Sequence, residues 1–177
     1  MKLTIRADDM DWRLTPQEYI DNHEKFIKAG LTETAVIQYT KNGRLCNFNP
    51  ELVKYMNEAP NWDIQLHGWG HDFYSEWEFD YILRDISAAI YWSEKLFNKK
   101  PSIWFPPWNQ MSANMERVAG VLNLKIDNEA NDIAKFIRNM KSGGFDGHSV
   151  YYHLWNRVEA EQIDEMIKYA IEYERTR

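Results

Sequence analysis

The chain has 177 residues, enough for one domain with a sizeable core, and is 44% hydrophobic and 15% aromatic with a formal net charge of -6. The negative balance excludes phosphate-backbone binding as the main activity, because nucleic-acid binders concentrate positive charge. The single cysteine, Cys46, excludes an intrachain disulfide and any multi-cysteine metal site.

In chain order, KLTIRAD reads as a first strand that starts almost at once, after no long apolar leader. TPQEYIDNHEKFIKAG is a helix with Thr15 as N-cap, Pro16 at its first position and Gly30 past its end. TAVIQYT is a second strand, NPELVKYMNEA a short helix capped by Asn49, and WDIQLHG a third strand. A long amphipathic helix follows from Ser75 and is closed by Pro101. SIWF is a fourth strand stopped by Pro106 and Pro107, SANMERVAGVL a helix capped by Ser112, and LKID a fifth strand. NDIAKFIRNM reads as helix running into a short strand, HSVYYHLW as a late strand and EAEQIDEMIKYAIEYER as the terminal helix. Strand and helix alternate without linker or repeat. The expectation is therefore a single α/β domain over residues 1–177, whose mainly parallel sheet closes into an irregular, incomplete barrel of about seven strands. No window reaches the ~20 apolar residues of a membrane-spanning helix, so a cytoplasmic protein with no membrane partner is expected.

In such folds the site gathers at the C-terminal ends of the strands. The first strand ends in Asp8 and Asp9, the third in HGWGH (His67 to His71), the fourth in FPPWNQ, the fifth in Asp127 and the late strand in His153 and Trp155. Gly68 and Gly70 each cost a helix interior about 1 kcal/mol relative to alanine. HGWGH is therefore read as a bent loop that brings two imidazoles together. One carboxylate and two imidazoles suit a divalent cation: zinc is expected, and cobalt, nickel or iron are compatible. A neighbouring carboxylate can take a proton from water and a histidine can protonate a leaving group. These are the parts of a metal-assisted hydrolase.

The order of these motifs resembles the polysaccharide deacetylase (NodB-homology) family, metal-dependent enzymes that remove acetyl groups from sugars. LTIRADDM is similar to its Asp-Asp motif, HGWGH to its His-(Ser/Thr)-x-x-His motif, NKKPSIWFPPW to its Arg-Pro-Pro-Tyr segment and YYH to its late Leu-x-His strand. The resemblance implies Asp9, His67 and His71 as metal ligands, Asp8 as general base, the backbone N–H of Trp108 as oxyanion donor and His153 as general acid. Three departures stand out. Gly68 replaces the Ser/Thr hydroxyl, Phe105 replaces the arginine that orients the base, and the carboxylate behind the acid histidine has no clear match. Arg6, two residues before Asp8 on one strand face, is the candidate substitute for the arginine. Asp127, with Asp132 second, is the candidate partner of His153.

Trp12, Trp69, Trp155 and Asn109 fall on or beside the site loops, and aromatic faces suit sugar rings. An N-acetylated carbohydrate or a related small amide is thus the expected substrate, and hydrolysis of its carbon–nitrogen bond the expected reaction. Two alternatives remain open: a carbohydrate-binding protein that kept the metal and lost turnover, and a hydrolase of another small amide.

Overall fold

The computed structural model describes residues 2–10, 13–129 and 131–176. Six strands form one parallel sheet: β1 (Thr4–Met10), β2 (Glu33–Gln38), β5 (Trp62–Gly68), β6 (Ile103–Trp104), β7 (Lys125–Ile126) and β8 (Ser149–Tyr152), in the order β7-β6-β5-β2-β1-β8. The sheet curls into a half-barrel with helices around it. The segment after β7 crosses to the free edge of β8, where Asp132 bridges to Tyr151 and the Asn131 carbonyl accepts from the Tyr151 N–H at 2.9 Å. This contact narrows the open side.

All six residues of β2 are buried, the mark of a parallel strand covered on both faces. The covering helices are α1 (Pro16–Ala29), α2 (Pro50–Glu58), α3 (Phe79–Phe97), α4 (Ala113–Leu122), α5 (Ile133–Lys141), the short α6 (Arg157–Ala160) and α7 (Ile163–Arg175). α1 opens with a complete capping box, Thr15 against Glu18, and closes on Gly30 at φ 70. α3 ends at Asn98 in the left-handed region, φ 49, ahead of Pro101. The NDIAKFIRNM stretch is helix from Ile133 onward, with Asp132 as its N-cap, and does not run into a strand. No helix among the described residues is long and apolar enough to cross a membrane.

One element has no counterpart in the sequence reading. A hairpin, β3 (Thr40–Lys41) with β4 (Arg44–Leu45), stands outside the main sheet directly after β2. Asn42 (φ 52) and Gly43 (φ 71) are both left-handed, as a two-residue hairpin turn requires, and that dipeptide was its available signal.

Candidate metal centre

Regular strands alternate their faces, so Asp8 and Asp9 could not both reach one site if β1 ran straight. The register of β1 against β2 shifts between Ala7 and Met10, and Asp9 takes φ 56. The irregularity turns Asp9 into the cleft beside Asp8. The partner strand repeats the device: β5 shifts against β2 between Leu66 and Gly68, leaving His67 as the extra residue. Asp9 and His67, both candidate ligands, thus sit on ladder breaks, which linear spacing does not reveal.

Around Asp9 the geometry is that of a ligand set. His67 Nε2 lies 3.0 Å and His71 Nε2 3.1 Å from Asp9 Oδ1. His67 Nδ1 donates to the Phe105 carbonyl at 2.7 Å, because a carbonyl can only accept, and this fixes the ring with Nε2 facing Asp9. The indole N–H of Trp104 donates to the His67 carbonyl at 3.0 Å and fixes the end of β5. Asp9 Oδ1 is buried and has no hydrogen-bond partner among the described residues. An orphaned acceptor between two imidazole nitrogens is what a cation site looks like. One oxygen and two nitrogens, all within 4.8 Å of one another, fit a divalent ion at ordinary bond lengths. Burial opposes ionisation of Asp9, yet the two imidazoles outweigh it and hold its carboxyl well below the usual carboxylate range.

Asp8 is braced by Arg6 in a two-pronged fork, Nε to Oδ1 at 3.1 Å and one terminal nitrogen to Oδ2 at 2.7 Å. Both side chains are almost wholly buried. The guanidinium carbon lies 4.6 Å from the Phe105 ring centroid and 5.3 Å from that of Tyr151, so it is sandwiched in place. The residue that stands where the family has arginine therefore packs against the arginine that reaches Asp8.

With the strand-end geometry in place, comparison with known proteins decides the family. The sequence model described as "Polysaccharide deacetylase" matches residues 19–127. The chain belongs to the polysaccharide deacetylase family. That match contains His67, His71 and Trp108 but neither Asp8, Asp9 nor His153, so for those three the spatial arrangement is the ground. Among solved structures, the peptidoglycan deacetylase PdaC from Bacillus subtilis is similar at a TM-score of 0.74 and 16% identity, over 97% of this chain and 83% of that one. A family 4 carbohydrate esterase from Streptomyces lividans, in complex with acetate, reaches a TM-score of 0.75 at 15% identity, over 95% and 86%. A family pseudoenzyme from Bacillus anthracis, BA3943, gives 0.78 at 16% identity, over 97% and 60%. At such identities the likeness is one of fold. No curated protein sequence matches the chain.

The remaining parts of this polysaccharide deacetylase family member surround a cleft of about 410 Å³ that Asp8, Asp9, His67, His71, Trp108 and His153 share. His153 Nε2 stands 3.9 Å from Asp9 Oδ2. Its other nitrogen meets Glu159 Oε2 at 3.0 Å, and the same oxygen accepts from the His153 backbone N–H at 2.6 Å. Burial disfavours the charged ring, but Glu159, then Asp8 and Asp9, raise its pKa above the ordinary histidine value. The expectation that Asp127 backs His153 is corrected here. Asp127 Oδ2 lies 3.1 Å from His148 Nε2, in the loop that follows β7, while Asp132 caps α5. Glu159 comes from α6, six residues after His153, where Asn156 and Glu159 are bonded to each other at 2.6 Å. That Asn-x-x-Glu spacing was the signal available in the sequence.

Gly68 has a substitute too. A Cβ there would stand 2.6 Å from the Tyr74 hydroxyl and 2.7 Å from the Gly70 carbonyl. The Tyr74 hydroxyl accepts from the Gly70 N–H at 3.2 Å and donates to Asp85 at 2.8 Å. It thus braces the loop from where a residue-68 side chain would start.

The residues expected to meet substrate divide. Trp108, at φ 60 and 60% exposed, stands edge-on to His71 and stacks on Phe73 at the rim. Trp155 lines the cleft, whereas Trp69 lines a neighbouring cavity and packs on Tyr39. Asn109 Oδ1 accepts from Arg6 at 3.3 Å, so it joins the brace of Asp8. Trp12 lies outside the described residues.

Proposed function

We propose that the chain is a metal-dependent hydrolase that removes the acetyl group from an N-acetylated carbohydrate. The observation that carries this reading is Asp8, forked by Arg6 at 2.7 and 3.1 Å, beside an Asp9 oxygen that the Nε2 atoms of His67 and His71 flank at 3.0 and 3.1 Å. A divalent cation held by Asp9, His67 and His71 would polarise an acyl carbonyl and make water a nucleophile near neutral pH. Asp8 takes the proton of the attacking water as its oxygen bonds to the acyl carbon. The backbone N–H of Trp108, on the Pro106–Pro107 turn, donates to the developing oxyanion. His153, whose charged form Glu159 favours, gives its proton to the nitrogen as the carbon–nitrogen bond breaks, releasing acetate and a free amine.

Phe105 in the arginine position favours a second reading, a binding protein without turnover. The Arg6 fork answers that loss by another route. The deciding experiment combines metal analysis of the purified protein with acetate release from a panel of N-acetylated sugars. Metal near one per chain and acetate that disappears on chelation support the hydrolase. Full metal occupancy with no acetate from any sugar returns the protein to the binding reading.

A further inference from the structure

We infer that Gln110 is a positioning residue for the deacetylation, holding the Trp108 N–H at a fixed place relative to the metal ligands; the inference rests on the deacetylase reading. The turn that carries this N–H has a backbone that needs outside support. Trp108 and Asn109 are consecutive left-handed residues, at φ 60 and φ 51. Asparagine tolerates that region, whereas a bulky tryptophan there is an outlier that persists only where its surroundings impose it. The Trp108 ring, 60% exposed, supplies only part of the constraint through Phe73 and His71. Pro106 and Pro107 stiffen the chain before the turn. Gln110 fastens it on the other side.

The Gln110 amide makes every hydrogen bond it can. Its Nε2 donates to the Pro107 carbonyl at 2.8 Å and to the Asp72 carbonyl at 3.0 Å. Its Oε1 accepts from the Ser75 N–H at 2.9 Å and from the Ser75 hydroxyl at 2.7 Å. The partners fix which end is which, since a carbonyl only accepts and a backbone N–H only donates. Asp72 directly follows the candidate ligand His71, and Ser75 directly follows Tyr74, whose hydroxyl braces Gly70. One side chain thus ties the Trp108 turn to the loop that carries His71. Asn109 ties the same turn to Arg6 at 3.3 Å. Oxyanion stabilisation requires the N–H and the metal to reach one oxygen together, and a donor that drifts beyond about 3.1 Å from it loses most of its effect. The spacing between turn and loop is what Gln110 sets.

The test compares metal-loaded wild type, Gln110→Met and Ser75→Ala in acetate release from the N-acetylated sugar panel and in amide hydrogen exchange. Methionine keeps the length of the side chain and removes all four bonds. In Gln110→Met, kcat is expected to fall by about tenfold to 10²-fold while KM and metal content stay near wild type. The pH profile of kcat should keep its shape, because Gln110 touches neither Asp8 nor His153. Exchange should quicken over residues 105–112 while α7 is unchanged. Ser75→Ala removes one bond of the four and secures the test if Gln110→Met folds poorly; its kcat should fall about threefold. Unchanged kcat in both variants overturns the inference. So does a shifted limb of the pH profile, which would mean that Gln110 acts through the base or the acid. A loss of turnover accompanied by faster exchange throughout the chain also overturns it, as a role in the fold at large. Wild-type protein that releases no acetate removes the deacetylase reading itself, and the inference with it. Wild-type release that both variants retain in full leaves that reading standing and removes the positioning role alone.

Discussion

Arg6→Met is the perturbation that bears most directly on the site, because it removes the fork and nothing that touches a metal ligand. Two charge-assisted hydrogen bonds, at 3.1 and 2.7 Å, are lost, and a carboxylate only 6% exposed is left without them. Charge-assisted bonds contribute ~1.5–3 kcal/mol each, and breaking a buried pair costs ~3–5 kcal/mol. Asp8 lines the cleft, so water recovers part of the loss, which places the cost near the lower bound, about 3 kcal/mol. For a domain of this size that corresponds to a fall in Tm of roughly 6–12 °C. A total stability of ~5–15 kcal/mol leaves the variant folded. Thermal melts of Arg6→Met, Asp8→Asn and the double variant form a cycle. Once the carboxylate is neutral, removing its partner is cheap, so the coupling should reach about 2 kcal/mol. Turnover is the second readout. A base that has lost its orientation should lower kcat by roughly 10²-fold while KM changes little. Arg6→Lys keeps the charge without the fork and should fall in between. Unchanged Tm and kcat in Arg6→Met, or Asp8→Asn costing the same in both backgrounds, would refute the reasoning.

Three further outcomes are expected. His67→Ala and His71→Ala should each abolish stoichiometric metal by elemental analysis, whereas Asp8→Asn should retain it and lose turnover; metal retained in both histidine variants would remove the ligand assignment. Glu159→Gln should lower kcat by about tenfold or more at unchanged metal content, since it unties the ring of His153; a rate equal to wild type would leave Glu159 as a cap of α6 only. Gly68→Ser, which restores the residue type usual in the family's motif, should destabilise the protein by about 1–3 kcal/mol through overpacking against the immobile Tyr74. It should also weaken metal binding, and a neutral melt would mean that Tyr74 is free to give way.

The fold was legible because its determinants are local. Thr15, Asn49 and Ser112 cap the helices they were assigned to, and strand β5 has the bounds that its alternation suggests. That the strand-end histidines and aspartates would gather at one cleft was legible too, but their mutual orientation was not. It depends on register shifts in β1 and β5 and on left-handed backbone at Asp9, which arise from pairing with β2 rather than from the segments themselves. The β3–β4 hairpin went unread although Asn42-Gly43 announces it, because its strands are only two residues long and show no alternation. Asp127, with Asp132 second, was the expected partner of His153, and nothing in the strand-end pattern pointed to Glu159. The chain after β7 instead leaves the cleft to lie along β8, and α6 brings a carboxylate back to His153 from six residues on.

The three departures from the family pattern have one feature in common. Phe105 for arginine, Gly68 for Ser/Thr and the unmatched partner of His153 each remove a polar group that steadies the site. In each case another residue stands in that group's place: Arg6 on Asp8, Tyr74 on the loop of Gly70, and Glu159 on His153. An Arg6 that is 1% exposed carries a large desolvation cost that a hydrophobic side chain of similar size would avoid. A protein that only folded around a metal would gain nothing from an oriented Asp8, which is not a ligand. The fork keeps Asp8 aimed, which is what the proposed role in proton transfer asks of it. The stability cycle on Arg6 and Asp8 and the acetate assay therefore address one question from two sides: a strong coupling in a metal-loaded protein that releases no acetate would show a braced carboxylate without that reaction, and would return the protein to the binding reading.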